Sequence, residues 1–252
     1  MPGKPTLLVT ATITPPSIVT NLSRFDPRQR LEDYKAALHF YLELPSNILP
    51  RIVFVENSAG DVSGLRNLAA RHRDKEIEFV TFYGLDYPPS FGRGYGEARL
   101  LDYAMDRSAI IAKLQPNDMI WKATGRLKLL NFAQLSQTAP TGTDLYCDLK
   151  DYPMPWMDMR FFAFSKTGYE HLFRGIADSL REDQPVAGVA ENHLRRIVGA
   201  RLGRDAIVPR FAYTPRVDGI QGNNQPYSGG IRNIAKFSIR EFCRQLVPGL
   251  WI

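Results

Sequence analysis

Four short clusters of polar and glycine residues could carry chemistry, because each lies at the edge of an apolar segment. They are Val55-Glu56-Asn57-Ser58, Gly92-Arg93-Gly94-Tyr95-Gly96-Glu97, Lys122-Ala123-Thr124-Gly125-Arg126 and Val189-Ala190-Glu191-Asn192. Carboxylates and amides can bind hydroxyl groups or accept protons, helix N-termini favour anions, and guanidinium groups bind phosphates through paired hydrogen bonds. These groups are together suited to a phosphorylated nucleoside.

The first and third clusters each follow an apolar strand pattern. Glu56 and Asn57 come directly after such a run, so we expect them to hydrogen-bond a base or a ribose. A turn with a capping side chain is the alternative interpretation of the same residues. Lys122, Thr124 and Arg126 close another apolar strand, which predicts a cationic site for a diphosphate. A solvent-exposed pair of cations is the alternative interpretation.

The second and fourth clusters open helical patterns. Arg93, Gly94 and Gly96 predict a backbone that approaches an anion closely, and a plain glycine hinge is the alternative. The spacing of these glycines is not that of the dinucleotide-binding fingerprint. Glu191 is a candidate general base, although an acid at a helix start can simply complement the helix dipole.

The elements that must position these clusters alternate along the first 120 residues. Strand patterns at 7–13, 51–57, 76–83 and 118–122 are separated by helical patterns, the last of them at 97–114. This order predicts an α/β fold with a mostly parallel, mixed sheet flanked by helices. Ligands bind at the carboxyl ends of strands in open sheets of this kind, where the polar clusters lie.

Domain organisation follows from the later pattern. The pattern predicts a catalytic domain at 1–215 and a basic amphipathic helix at 231–252. Between them it predicts a lid-like loop at 216–230, within an irregular glycine- and proline-rich stretch. No run of apolar residues is long enough for a membrane span. The two cysteines are far apart in sequence, which predicts a reduced, cytoplasmic protein.

The net charge of +6 is concentrated in the tail, because residues 201–252 hold eight cationic and three acidic side chains. Arg232, Lys236, Arg240 and Arg244 follow one another at intervals of four, which predicts one basic stripe on a helix. The apolar residues expected opposite it are Ile231, Ile234, Ala235, Ile239, Phe242 and Leu246. Such a helix is typical of attachment to an anionic membrane surface, and packing on the core with solvated arginines is the alternative.

The order of these motifs resembles that of GT-A nucleotide-sugar glycosyltransferases. The segments that carry the likeness are Phe91-Gly92-Arg93-Gly94-Tyr95-Gly96-Glu97-Ala98, Trp121-Lys122-Ala123-Thr124-Gly125-Arg126 and Met159-Arg160-Phe161-Phe162-Ala163-Phe164. They look like those of enzymes of bacterial surface-polysaccharide and lipopolysaccharide synthesis. The resemblance covers residues 6 to 230 and implies a Rossmann-like GT-A fold.

The resemblance also implies roles for single residues. GT-A enzymes usually carry Asp-x-Asp at the end of the fourth strand, where the acids hold a divalent metal, but this chain has Lys122 and Arg126 there. We therefore expect fixed cations in place of Mn²⁺ or Mg²⁺, with Asp148 and Asp151 as second-choice metal ligands. Glu191 matches the general base of inverting members, and Asp158 competes for that role.

The segment 215–230 resembles the loop that closes over a bound donor in such enzymes. Asn223, Asn224 and Tyr227 within it, together with Arg160, are expected to contact the acceptor or to form the lid. Closure would exclude water and so suppress hydrolysis of the donor.

The sequence thus predicts a glycosyltransferase that moves a sugar from a nucleoside diphosphate-sugar to a glycan acceptor. The acceptor is expected to be lipid-linked, and the enzyme cytoplasmic and peripheral to the inner membrane. Two alternatives are a nucleic-acid-binding or processing protein that uses the basic tail and a nucleotidyltransferase. The near-neutral core argues against nucleic acid, and the missing Asp-x-Asp argues against the nucleotidyltransferase.

Overall fold

A seven-stranded sheet forms the centre of the molecule. The computed structural model describes residues 4–16, 23–183, 189–220, 224–227, 231–247 and 249–251, with the backbone alone at 231–236. The strands are β1 (Thr6–Ala11), β2 (Arg51–Glu56), β3 (Glu76–Thr81), β4 (Met119–Thr124), β5 (Leu127–Leu129), β6 (Leu145–Tyr146), β7 (Leu149–Lys150), β8 (Trp156–Met157), β9 (Phe161–Ser165), β10 (Ile207–Val208) and β11 (Val217–Gly219).

Helices cover both faces of this sheet. They are α1 (Pro27–Leu42), α2 (Ser63–Ala69), α3 (Gly92–Arg107), α4 (Ala109–Ala112), α5 (Phe132–Ser136), α6 (Lys166–Leu172), α7 (Ala190–Gly199) and α8 (Ile231–Leu246). Alternate residues of β1 point to opposite sides, so Leu8 joins one apolar core with α3 and α7 residues while Leu7 and Val9 join another beneath α1. Both faces of the central strands are therefore buried.

The strand order is β10-β6-β9-β4-β1-β2-β3, and β9 is antiparallel to both of its neighbours. The prediction of a mostly parallel, mixed sheet is confirmed. Strands β1, β2 and β4 run parallel in a register that places Thr10 beside Val55 and Thr124. The polar residues that follow these three strands consequently meet at one edge of the sheet.

The glycine-rich run lies inside a helix rather than before one. Helix α3 begins at Gly92, five residues earlier than the pattern indicates, and ends at Arg107. Ser108 then caps α4 by accepting a hydrogen bond from the backbone N–H of Ile111. Gly94 contacts Ala190 of α7 and Gly96 contacts Tyr87 so closely that neither position has room for a Cβ atom. Close packing overrides the low helix propensity of glycine.

The irregular stretch near residues 213–230 is more ordered than predicted. β11 pairs with β5 in an antiparallel ladder, and Ile220 forms a bridge with Pro226. Residues 221–223 and 228–230 lie outside the described residues, so the division at 216–230 stays a prediction.

The C-terminal helix packs on the core through a face that the charge pattern does not predict. Cys243 and Arg244 are buried, and Arg244 forms an ion pair with Asp148 at 2.9 Å. Arg244 also donates to the backbone oxygen of Phe211 at 2.5 Å. The prediction that Arg244 belongs to an outward basic stripe is wrong, because a buried acid on the core binds it.

The described apolar side chains in the second half of α8 face solvent instead. Ile239, Phe242 and Leu246 are 56%, 60% and 66% exposed. The side chains of Ile231, Arg232, Ile234, Ala235 and Lys236 lie outside the described residues. Within the part of the chain that is described, no helix is both long and apolar enough to cross a membrane.

Candidate active site

A cavity of about 780 Å³ lies at the carboxyl ends of β1, β2 and β4. Ten of the residues predicted from the sequence line it, and they come from widely separated parts of the chain. They are Asn57, Arg93, Gly94, Gly96, Thr124, Arg126, Asp158, Arg160, Glu191 and Tyr227. The fold thus brings together groups that the sequence places up to 170 residues apart.

The floor of the cavity is built by the turns that follow the strands. Gly125 donates its backbone N–H to the carbonyl oxygen of Thr10 at 2.9 Å, and a Cβ on Gly125 would lie 2.6 Å from that oxygen. Glycine is therefore required where the chain turns between Thr124 and Arg126. Asn57 is buried, and its amide oxygen accepts a 2.7 Å hydrogen bond from the hydroxyl of Thr12.

Glu56 and Lys122 lie beneath the cavity and are absent from its lining. The carboxylate of Glu56 accepts hydrogen bonds from the backbone N–H groups of Ile13, Ser58 and Gly60 at 2.8–2.9 Å, so it shapes the turn after β2. The ammonium of Lys122 is fully buried and forms an ion pair with Glu97. It also donates to the hydroxyl oxygen of Thr124 at 3.1 Å and to the carbonyl oxygen of Met159.

Asp158 and Arg160 form a closed pair in the cavity wall. The guanidinium donates to both carboxylate oxygens, through Nε at 2.8 Å and through Nη2. Burial alone would raise the pKa of Asp158, but the charge and hydrogen bonds of Arg160 outweigh burial and hold that pKa well below its usual range. The ring of Tyr227 lies 4.8 Å from the same guanidinium. A carboxylate held in this way is a weak proton acceptor.

Glu191 has the opposite environment. It occupies the second position of α7, and within the described residues no cationic side chain lies within 4 Å of its carboxylate. Burial raises the pKa of Glu191, and the negative charges of Glu97 and Asp158 add to this effect, while Arg93 opposes it. A raised carboxyl pKa moves the group toward the range that suits a general base at neutral pH.

Three arginines in the lining lack a carboxylate partner within 4 Å among the described residues. Arg126 donates to the backbone oxygen of Ile220 at 2.9 Å, and Arg30 of α1 donates to the backbone oxygen of Thr12 at 2.7 Å. Arg93 is exposed at the cavity mouth. Burial lowers the pKa of Arg30, and the charge of Arg126 lowers it further, so the two guanidinium groups repel one another. An anion between them would relieve that repulsion.

The remaining predicted residues lie elsewhere. Asp148 forms an ion pair with Arg244, and Asp151 forms one with Arg195. Neither of the two acids lines the cavity. Asn224 is exposed and donates to the backbone oxygen of Ser23 at 3.2 Å. Asn223 lies outside the described residues.

Among the described residues of the lining, no three acids, histidines or cysteines converge as ligands for a divalent metal. Such an ion needs several oxygen ligands that converge on one point. The only convergent group of three acids, histidines or cysteines within the described parts of the chain lies at the other edge of the sheet. In the cavity, Glu97 and Asp158 are each engaged by a cation.

Sequence reasoning missed several lining residues, among them Thr10, Arg30, Tyr34 and Glu97. Thr10 and Glu97 form a 3.0 Å hydrogen bond. Arg30 lies near the start of α1, and an arginine on a surface helix normally faces solvent. Its nearly complete burial depends on the packing of α1 over β1, which the sequence does not reveal.

No protein-family model matches the sequence, and no curated protein matches it. Solved structures of similar architecture do exist. The glycosyltransferase GlyE of Streptococcus pneumoniae aligns with a TM-score of 0.51 at 8% identity, over 82% of this chain and 45% of that chain. The chain has a GT-A-like fold.

Two further structures align less closely. Mouse xyloside xylosyltransferase 1 gives a TM-score of 0.46 at 11% identity, over 82% of this chain and 85% of that chain. The inositol-1-phosphate CTP transferase of T. maritima gives a TM-score of 0.46 at 10% identity, over 94% of this chain and 97% of that chain. At these identities the likeness concerns the fold alone.

Proposed function

We propose that the protein transfers a sugar from a nucleoside diphosphate-sugar to a hydroxyl group of a glycan acceptor. The observation that carries this proposal is that one cavity of a GT-A-like fold holds both a carboxylate of raised pKa and arginines that have no carboxylate partner within 4 Å among the described residues. Transfer with inversion uses these two kinds of group, because a cationic site stabilises the leaving diphosphate and a base accepts the proton of the attacking hydroxyl.

In the proposed reaction Glu191 accepts the proton of the acceptor hydroxyl as its oxygen attacks the anomeric carbon. The bond from that carbon to the diphosphate breaks, and Arg126, Arg30 and Arg93 stabilise the charge of the leaving group. Asn57 binds the nucleoside. Asp158 orients Arg160 rather than acting as the base, because its pKa is held low.

Fixed guanidinium groups would replace the metal in this mechanism. The donor set of the cavity supports that proposal, because no three of its potential ligand residues converge within the described parts of the chain. Transfer is therefore expected to continue in EDTA. Activity that disappears with EDTA and returns with Mn²⁺ would contradict a diphosphate held by arginine alone.

The proposal is tested by calorimetry with a panel of nucleoside diphosphate-sugars, followed by transfer assays with the donor that binds. We expect saturable binding of at least one donor and release of the nucleoside diphosphate when an acceptor is added. Formation of pyrophosphate from a nucleoside triphosphate and a sugar phosphate would identify a nucleotidyltransferase instead. Binding of RNA or DNA with a steep salt dependence, without binding of any donor, would overturn the proposal.

We further propose that the acceptor is lipid-linked and that the enzyme acts in bacterial surface-polysaccharide synthesis at the cytoplasmic face of the inner membrane. The exposed row of Ile239, Phe242 and Leu246 supports attachment to a bilayer, because these side chains lie at intervals of three and four on one face of α8. Arg240 adjoins this row. A cation near an anionic surface contributes ~1 kcal/mol to binding.

Flotation with vesicles that contain anionic phosphatidylglycerol tests this attachment. Replacing Ile239 and Phe242 by Ser is expected to abolish flotation and to leave transfer to a soluble acceptor intact. Leu130→Ser is the matched control, since Leu130 is 45% exposed but lies outside α8. Equal flotation of the α8 variant and the wild type would contradict the membrane role of this helix while leaving the transfer reaction unaffected.

A further inference from the structure

Three potential metal ligands converge at the edge of the sheet opposite the cavity. Glu43 is the C-cap residue of α1, His39 lies one turn before it, and His72 follows the end of α2. Strands β2 and β3 begin shortly after these two helices end, so the cluster lies at the amino ends of the strands. It shares no residue with the cavity.

The geometry points to one shared ligand oxygen. The Nδ1 atom of His39 lies 3.6 Å from Oε1 of Glu43, and the Nε2 atom of His72 lies 3.7 Å from that same oxygen. These distances are too long for good hydrogen bonds. They are close to the spacing of about 3.4 Å between two ligand atoms that each lie ~2.1 Å from a tetrahedral Zn²⁺.

The surroundings leave the three ligands available. All three ligand atoms lie within 4.8 Å of one another. The neighbouring ammonium of Lys75 is directed to the backbone oxygens of Leu44 and Leu49, so it does not occupy the carboxylate. The side chains of His39 and Glu43 are 58% and 60% exposed, which leaves space for water as a fourth ligand.

We propose that His39, Glu43 and His72 form a binding site for Zn²⁺. Two imidazole nitrogens and one carboxylate oxygen are a donor set that Zn²⁺ commonly takes in proteins, with water in the remaining position. The ion joins the C-terminal end of α1 to the segment after α2. Because α1 also carries Arg30 and Tyr34 into the cavity, the ion fixes the helix that supports these two side chains.

Calorimetry with Zn²⁺ on metal-free full-length protein, together with thermal unfolding, tests the site. We expect one Zn²⁺ per chain, a melting temperature that rises with Zn²⁺ concentration, and affinity that falls by about tenfold or more in His72→Gln and in Glu43→Gln. Substitution with Co²⁺ should produce visible absorption bands in the wild type that both variants lose.

His171→Gln is the matched control, because His171 is exposed on α6 and does not belong to the cluster. It is expected to bind Zn²⁺ like the wild type. Circular dichroism establishes that each variant is folded. The site is refuted if folded His72→Gln binds Zn²⁺ as tightly as the wild type, or if the wild type shows no binding at ~100 µM Zn²⁺.

Discussion

Two sets of charged residues at the cavity differ in how their charges are paired. In the paired set, Lys122 binds Glu97 and Arg160 binds Asp158. In the unpaired set, Arg30, Arg126 and Glu191 have no ion-pair partner within 4 Å in the described chain. The charges of the paired set therefore compensate each other, whereas those of the unpaired set have no such compensation among the described residues.

This difference separates the residues that are expected to stabilise the fold from those that are expected to bind substrate. Burying a charge is costly unless an opposite charge and hydrogen bonds compensate it. The charges of the paired set compensate each other whether or not substrate is present. The charges of the unpaired set would be compensated when an anion binds the arginines and a hydroxyl group binds Glu191. We therefore expect substitutions in the paired set to change stability, and substitutions in the unpaired set to change binding and transfer.

The largest effect is expected from Glu191→Gln. Loss of a general base should lower the transfer rate by about 10²–10⁴-fold while donor binding persists. Glu32→Gln, an exposed change on α1, serves as the control. Because burial raises the pKa of Glu191, its ionised form costs stability at pH values above that pKa, so the variant should melt no lower than the wild type at pH 8. A clearly lower melting temperature of the variant would mean that Glu191 stabilises the fold.

Lys122→Met is expected to have the next largest effect, on stability. It leaves the mostly buried carboxylate of Glu97 without its cation, which should lower the free energy of unfolding by about 3 kcal/mol. Urea denaturation measures this change. Lys128→Met breaks a more exposed pair with Asp218 and should cost less than about 1 kcal/mol. Similar small losses in both variants would remove the distinction between the paired and the unpaired set.

Arg126→Ala should weaken donor binding by about 10–100-fold, since a hydrogen bond to a charged group contributes ~1.5–3 kcal/mol. Stability should change little, because the guanidinium is only partly buried and forms no ion pair within the described residues. Calorimetry with the donor measures the effect, and Arg107→Ala on the outside of α3 is the control. Unchanged donor affinity in Arg126→Ala would argue against an arginine site for the diphosphate.

The smallest effect is the pH dependence of transfer. Only the ionised form of Glu191 can accept a proton, so the rate should fall about tenfold per pH unit below the pKa of this group. Because that pKa is raised, the fall should begin at a higher pH than the usual glutamate value of about 4.3. A fall that begins well below pH 4 would indicate Asp158, whose pKa is lowered, as the base.

Local patterns predicted much of the fold and part of the site. The apolar runs at β1, β2 and β4 predict a parallel sheet, and the polar residues after them predict the position of the cavity. The pairing of Lys122 with Glu97 could not be predicted, because it depends on how α3 crosses the sheet. The orientation of α8 could not be predicted either, because helical periodicity identifies two faces of a helix but not which of them packs on the core.

The sequence by itself determined the alternation of strands and helices and the residue types at the strand ends, because hydrophobic periodicity and strand-end chemistry are local properties. Only the tertiary structure decided which charges are paired. Asp158 and Glu191 are both acids near the same cavity, yet one has a lowered pKa and the other a raised one. The physical reason is that a pKa depends on burial and neighbouring charges, and packing sets both.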